Sequence, residues 1–190
     1  MSSKNKKTTP LKAIFFVLIV ISICIFGIFI ANWYRPVEGN LQANEQIEKP
    51  NKNLVIIDTN KGTFEIELYP KLMPKTVANF EKLVDSGFYN NLTFHRVEDW
   101  VVQGGDPLGN GTGGPGWTIE LEVNPKLKNV RGAVGMARSL DPNSAGSQFY
   151  ILKKDAPGLD GQYAVFGKVV KGMEIVDRIQ PGDKMNLVKK

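Results

Sequence analysis

Residues 94–106 read FHRVEDWVVQGGD, and residues 143–149 read NSAGSQF. Phe94-His95-Arg96-Val97 and Trp100-Val101-Val102-Gln103 are short runs rich in β-branched and aromatic residues. The acidic pair Glu98-Asp99 interrupts them, and Gly104-Gly105 ends the second. Such runs predict short strands at 92–97 and 100–103. The later segment leads into a further strand at 148–152. Together they supply one arginine (Arg96), two glutamines (Gln103, Gln148) and several aromatic side chains for a single shallow apolar site.

Working outward, the pattern stays one of short strands. Leu54-Val55-Ile56-Ile57 is an apolar run, Lys61-Gly62 a turn, and Thr63 to Leu68 alternates apolar and polar, which predicts a hairpin with one buried face. Pro70 and Pro74 break the strand pattern. Thr76 to Ser86 carries Val77, Phe80, Leu83 and Val84 on one helical stripe, with Gly87 placed to end it. Strands are also predicted at 117–122, 133–137 and 164–169. A second helix is expected at 171–179, where Met173, Val176 and Ile179 recur at helical spacing. Many short strands, glycine-rich turns and two helices predict a mainly β fold, a closed antiparallel barrel with helices capping its ends.

The chain has 190 residues, one domain plus an appendage. Ala13 to Ala31 is an uncharged apolar run, AIFFVLIVISICIFGIFIA, about 28 Å long as a helix and close to the thickness of a bilayer's hydrocarbon. Lys4, Lys6, Lys7 and Lys12 precede it with no acid, and Trp33, Tyr34 and Arg35 follow it. These flanks predict a basic cytoplasmic tail (1–12), an uncleaved transmembrane anchor (13–31), a flexible linker (32–52) and an extracytoplasmic domain (53–190). The rival reading is a cleaved signal peptide and a secreted product, although no A-x-A site follows the run. Lipoprotein processing at Cys24 is disfavoured by the bulky Ile23 before it.

Four of the five net positive charges belong to that tail, because from Asn53 onward there are 17 basic and 16 acidic residues. The basicity therefore marks membrane topology, and no nucleic-acid partner is expected. With one cysteine, inside the apolar run, no intramolecular disulfide can form. His95 is the only histidine, which leaves no ligand set for a zinc centre.

The motifs Phe94-His95-Arg96-Val97, Gln103-Gly104-Gly105-Asp106, Gly135-Met136-Ala137-Arg138, Asn143 to Phe149, Leu159-Asp160-Gly161 and Val165 to Val169 resemble, in order, those of the cyclophilin family of peptidyl-prolyl cis-trans isomerases. The resemblance runs from about Leu54 to Ile179. It implies a closed eight-stranded antiparallel β-barrel capped by two α-helices, an isomerase needing no cofactor and no metal, and proline-containing segments of client proteins as substrates. It implies that Arg96 is the catalytic arginine, with Gln103 beside it. Trp100, Val101, Tyr150 and Leu159 match the proline-pocket walls, Ala137 the neighbouring groove, and Gln148 a group holding the substrate backbone.

Four departures from the family pattern stand out. Six residues separate Arg96 from Gln103, one fewer than is common. Gly158 stands where many members carry a tryptophan that contacts cyclosporin, which counts against tight binding of that drug. Tyr163 stands at the pocket rim in place of a histidine, and Arg138 replaces an asparagine. A monomer is expected.

The chemistry asks little of the protein. A prolyl bond resists rotation because its C–N bond has partial double-bond character, with a barrier of about 18–20 kcal/mol. In the twisted state the imide nitrogen regains a lone pair, and a guanidinium aimed at it binds that state better than the planar one. No proton transfer is needed, so His95 reads as structural. Arg96 taken alone could be a surface arginine paired with Glu98 or Asp99; the surrounding motifs favour the catalytic reading. Alternatives are a non-catalytic module that holds proline segments and a membrane-tethered assembly factor. Phe149 is expected in the core, opposite to Gln148 and Tyr150 on its strand. Gly109 to Gly114 formally matches G-x-G-x-x-G, but Pro115-Gly116 leaves no helix to hold a phosphate, so a surface turn is expected. Asn91-Leu92-Thr93 and Asn110-Gly111-Thr112 are glycosylation sequons by pattern.

Overall fold

The computed structural model describes residues 53–190. The expected tail, apolar span and linker lie outside them. Among the described residues no helix is long and apolar enough to cross a membrane.

The first hairpin forms as its alternation predicts. β1 (Leu54–Thr59) and β2 (Gly62–Leu68) pair antiparallel with Val55 opposite Ile66 and Ile57 opposite Phe64, all four fully buried. Residues facing each other across a ladder share a face, so this register sends the whole apolar set inward. The turn is closed by the Thr59 hydroxyl, which donates to Gly62 O at 2.7 Å, and by Gly62 at φ +124°.

Pro74 begins helix α1 (Pro74–Asp85), a position where its missing N–H costs nothing. The predicted stripe of Val77, Phe80, Leu83 and Val84 is buried. Gly87, at φ +70°, ends the helix in a Schellman motif: its N–H reaches Val84 O, and the Phe88 N–H reaches Leu83 O. Phe80 packs against Tyr89, Phe149 and Phe166 at centroid distances of 4.9 to 5.5 Å, the aromatic centre of the main core. Phe149 is inside, as expected.

The remaining strands are β3 (Arg96–Val97), β4 (Val101–Gly104), β5 (Ala133–Met136), β6 (Phe149–Leu152), β7 (Val165–Lys171) and β8 (Met185–Lys189), with helix α2 (Met173–Arg178) before the last. They form one eight-stranded antiparallel sheet in the order β3-β4-β6-β5-β7-β2-β1-β8. The expected closed barrel is instead a curled half-barrel, because the end strands β3 and β8 share no ladder. The chain just before β3 spans the seam: Asn91 N donates to Met185 O, Met185 N to Leu92 O and Phe94 N to Asp183 O, at 2.7 to 2.9 Å. Only the single bridge Thr93–Lys184 is strand-like there.

Other expectations change too, beginning with the strand at 92–97, of which only Arg96–Val97 forms a ladder. The predicted strand at 117–122 is reduced to one bridge, Ile119–Ala145, because the Leu121 N–H bonds to the Asn143 side chain and not to a ladder. The helix expected at 171–179 is shorter, since β7 runs through Lys171 and Gly172 turns the chain at φ +79°. β8 was not predicted. Its buried residues Met185 and Val188 lie three apart beside a register shift at Asp58/Thr59, so the period of two is broken.

β5 and β6 are buried on both faces. Phe149 and Ile151 enter the main core, while Tyr150 and Leu152 face a smaller cluster with Val101, Ala133 and Val165. That second cluster floors the candidate site.

Candidate functional site

Six residues between Arg96 and Gln103 are accommodated by a tight hairpin. Arg96 pairs with Gln103, Val97 with Val102, and the Glu98 N–H donates to Val101 O at 2.8 Å, which leaves Asp99 and Trp100 at the tip. Arg96 and Gln103 are thus a cross-strand pair on one face. The Arg96 Nη1 donates to Gln103 Oε1 at 3.2 Å. Gln103 in turn pairs with Tyr150 in the β4–β6 register.

The polar groups form a chain. Gln103 Nε2 donates to Gln148 Oε1 at 2.9 Å, and Gln148 Nε2 donates to Gly111 O at 3.0 Å and Gly113 O at 2.9 Å. The glycine run 109–114 is therefore a surface loop, as expected, and its carbonyls fix Gln148. Buried Asp106 shapes the same loop by accepting from the N–H groups of Leu108, Asn110 and Gly111 at 2.8, 2.9 and 2.5 Å. Burial pushes the Asp106 carboxyl up, but these N–H groups together outweigh it and hold it below its ordinary value.

Beside this chain lies an apolar cavity of about 110 Å³. Arg96, Trp100, Val101, Gln103, Ala137, Arg138, Tyr150, Leu159 and Tyr163 surround it. The structure thus brings eight of the nine expected site residues to one cavity. The ninth, Gln148, lines a larger adjoining cavity of about 940 Å³, whose wall shares Gln103, Ala137 and Arg138 with the first.

Tyr150 and Tyr163 meet edge to face at 6.0 Å. The Tyr150 hydroxyl donates to Asn129 Oδ1 at 2.6 Å, and burial, ahead of the nearby Tyr163 and Asp160, raises its pKa, so it stays a neutral phenol. Arg138 lies over the Tyr163 ring at 4.7 Å and donates from Nε to Gln162 O at 3.0 Å and from Nη1 to Ser139 O at 2.8 Å. It is held at the rim as an ordered wall.

His95 has both ring nitrogens buried without a hydrogen bond. Gln148 lies close enough to favour a protonated ring, yet its amide is already committed to Gln103, Gly111 and Gly113. Burial chiefly lowers the His95 pKa; Asp106 opposes this and Arg96 adds to it. The ring is neutral at pH 7, in keeping with a structural role.

By sequence, Glu98 stands out only as a surface partner for Arg96. In the structure its carboxylate accepts from Arg96 Nε at 2.7 Å and from Trp100 Nε1 at 2.8 Å. Alternation held the clue, because Arg96 and Glu98 are two apart and so share a side of the strand. No comparable clue existed for the larger cavity, whose lining comes from three separated segments.

Arranged in this way, the cavity can take a small apolar ring against Tyr150 and Leu159 beside a fixed guanidinium. It holds no nucleophile and no general base.

A sequence profile described as cyclophilin type peptidyl-prolyl cis-trans isomerase/CLD matches residues 54–189. Peptidyl-prolyl cis-trans isomerase B of Bacillus subtilis is 50% identical over 135 residues, covering 70% of this chain and 92% of that protein. A peptidyl-prolyl cis-trans isomerase of Helicobacter pylori is 47% identical over 132 residues, covering 67% and 80%. Among solved structures, a cyclophilin-type isomerase of Cryptosporidium parvum, determined in the presence of the dipeptide Ala-Pro, matches with a TM-score of 0.67 at 35% identity. That match covers 72% of this chain and 97% of the other.

Proposed function

The chain belongs to the cyclophilin-type peptidyl-prolyl cis-trans isomerase family and is an enzyme of that activity, and from this premise we propose how its own residues turn a prolyl bond. The proline ring sits in the 110 Å³ cavity against Val101, Tyr150 and Leu159, with Trp100 and Tyr163 at its rim. Arg96 is the catalytic residue. Its Nε is taken by Glu98 and its Nη1 by Gln103, and among the described residues Nη2 donates to no protein group. That free donor, held beside an apolar cavity, is the observation that carries the reading.

Nη2 donates to the imide nitrogen as it becomes pyramidal. The planar amide offers no such lone pair, so the bond forms mainly in the twisted state and lowers the barrier. An acceleration of about 10⁵ corresponds to roughly 7 kcal/mol of such preference. Gln103 orients the guanidinium, Gln148 braces Gln103 from the adjoining cavity, and Ala137 lines the groove taken by the substrate backbone beyond the ring. Lysine could not replace Arg96, because it lacks a planar fork that serves two anchors and a substrate at once. The mechanism needs no cofactor and no metal.

The sequence before the domain supports a place for this activity. The uncharged run Ala13 to Ala31, four lysines ahead of it and the Trp33-Tyr34 pair behind it fit a single-pass anchor with the N-terminus cytoplasmic. The enzyme would then act on proline-containing segments of proteins folding outside the cytoplasmic membrane.

The test is prolyl exchange in a short Ala-Pro peptide, followed by NMR, with the full-length chain and its Arg96→Ala variant. Fast exchange with the native chain and a loss of at least about a hundredfold in the variant is expected, the scale of a single lost transition-state donor. Equal rates for the two would overturn the role of Arg96. Peptide binding without accelerated exchange would make the domain a proline-recognition module.

A further inference from the structure

Arg96 stands on a strand of two residues at the open edge of the sheet, with its side chain about half exposed. A long side chain in such a place has much rotamer freedom to lose before it can aim a donor. The single contact to Gln103 at 3.2 Å holds one tip of the guanidinium and leaves the fork free to swing about it.

Glu98 removes that freedom. Its two carboxylate oxygens serve different partners: Oε1 takes Arg96 Nε and Oε2 takes the Trp100 indole N–H. The Arg96 guanidinium carbon lies 5.4 Å from the Trp100 ring centroid, so the three side chains form a closed triangle, two of whose members, Arg96 and Trp100, line the cavity. The short hairpin makes this possible. With only Asp99 and Trp100 at the tip, Glu98 is brought opposite Val101 and its carboxylate between the arginine and the indole. Lys153 tethers the same corner from β6's end, donating from Nζ to Glu98 O at 3.2 Å.

We infer that Glu98 is a positioning residue for the isomerase reaction: it fixes the plane of the Arg96 guanidinium and the angle of the Trp100 wall, so that Nη2 is aimed at the substrate's imide nitrogen. The inference rests on the isomerase reading of Arg96 given above. Its contribution is geometric. An exposed ion pair of this kind adds little to stability, so a variant should keep its fold while losing turnover.

The experiment measures kcat and KM for the Ala-Pro peptide by NMR exchange, using the full-length native chain, Glu98→Gln, Arg96→Ala and the double variant. Glutamine keeps one acceptor oxygen and puts an NH2 donor in place of the other, so one of the two N–H groups would face a donor. Glu98→Gln is expected to lower kcat about tenfold with KM within about twofold, as for a misaimed group that still binds. In the Arg96→Ala background the same change is expected to cost nothing further. The Arg96 Nε–H resonance should be protected from exchange in the native chain and less protected in Glu98→Gln, whose neutral amide is a weaker acceptor than the carboxylate.

Native turnover in Glu98→Gln would overturn the proposal, as would an equal loss in the Arg96→Ala background. Should Glu98→Gln fail to fold, the native Nε–H decides alone: protection upholds the pairing, and exchange at the rate of a free arginine overturns it. A native chain that does not accelerate exchange removes the isomerase reading itself, and this proposal with it.

Discussion

At the scale of single residues, the site depends on groups that are small as much as on groups that react. Gly135 on β5 lies directly opposite Tyr150, and a Cβ there would overlap the phenol ring. The ring cannot retreat freely, because its hydroxyl is held by Asn129, which Asp160 holds in turn through Asn129 N at 2.8 Å. Gly135→Ala should therefore overpack the cavity floor, destabilise the domain by about 1–3 kcal/mol and lower prolyl turnover. Urea unfolding and peptide exchange on the same sample would check both. An alanine variant with native stability and rate would mean that the Tyr150 ring is looser than its contacts indicate.

At the scale of elements, α1 begins without a side-chain cap of its own. Glu122, from the segment first expected to be a strand, does that work across the surface. Its Oε2 accepts from the Thr76 N–H at 2.9 Å and the Thr76 hydroxyl at 2.8 Å, and its Oε1 accepts from the Lys75 N–H at 3.3 Å. A carboxylate at a helix N-terminus satisfies open N–H groups and meets the positive end of the helix dipole. Glu122→Ala should cost about 1 kcal/mol, read as a lower thermal midpoint, with peptide exchange retained. No loss of stability would assign the capping to solvent. Segment 117–122 escapes the usual strand because its polar partners are side chains distant in sequence, which no local pattern encodes.

At the scale of the whole molecule, Asp183 stands at the seam of the half-barrel, where its backbone oxygen accepts from the Phe94 N–H, and its carboxylate ties that loop to the β1–β2 turn. Its carboxylate accepts from Asn60 Nδ2 and Gln180 N, both at 2.7 Å, with Lys61 at 3.6 Å. Burial would raise its pKa, but these donors and that charge hold it below the ordinary carboxylate value, as the loop N–H groups do for Asp106. A lowered folded pKa means that the folded state binds fewer protons, so the stabilisation is full above the unfolded value and is lost as pH falls through the folded one. His95, also lowered, follows the same sign from a higher starting point. The thermal midpoint should be level between about pH 7 and 9, decline gently below about 6.5 and fall steeply below about 4. Asp183→Asn should flatten the steep part; an unchanged acid limb would remove Asp183 from the account.

The residue types of the site, the order of its motifs and most of the elements that carry them can be read along the chain. Arg96, Gln103 and Tyr150 were legible because strand alternation and motif order are local properties of a chain. The predicted stripe of α1, the Gly87 stop and the burial of Phe149 follow from the same local rules. Packing in three dimensions curls the sheet into a half-barrel whose seam is spanned by residues 91–94 and 182–185. It alone revealed β8, whose burial pattern is broken by a register shift, and the cap that Glu122 lends to a helix 46 residues away. It also decided that Glu98 faces the arginine and the indole together. These are meetings of groups from separate segments or at a particular turn geometry, and their hydrogen bonds depend on distances that periodicity does not carry.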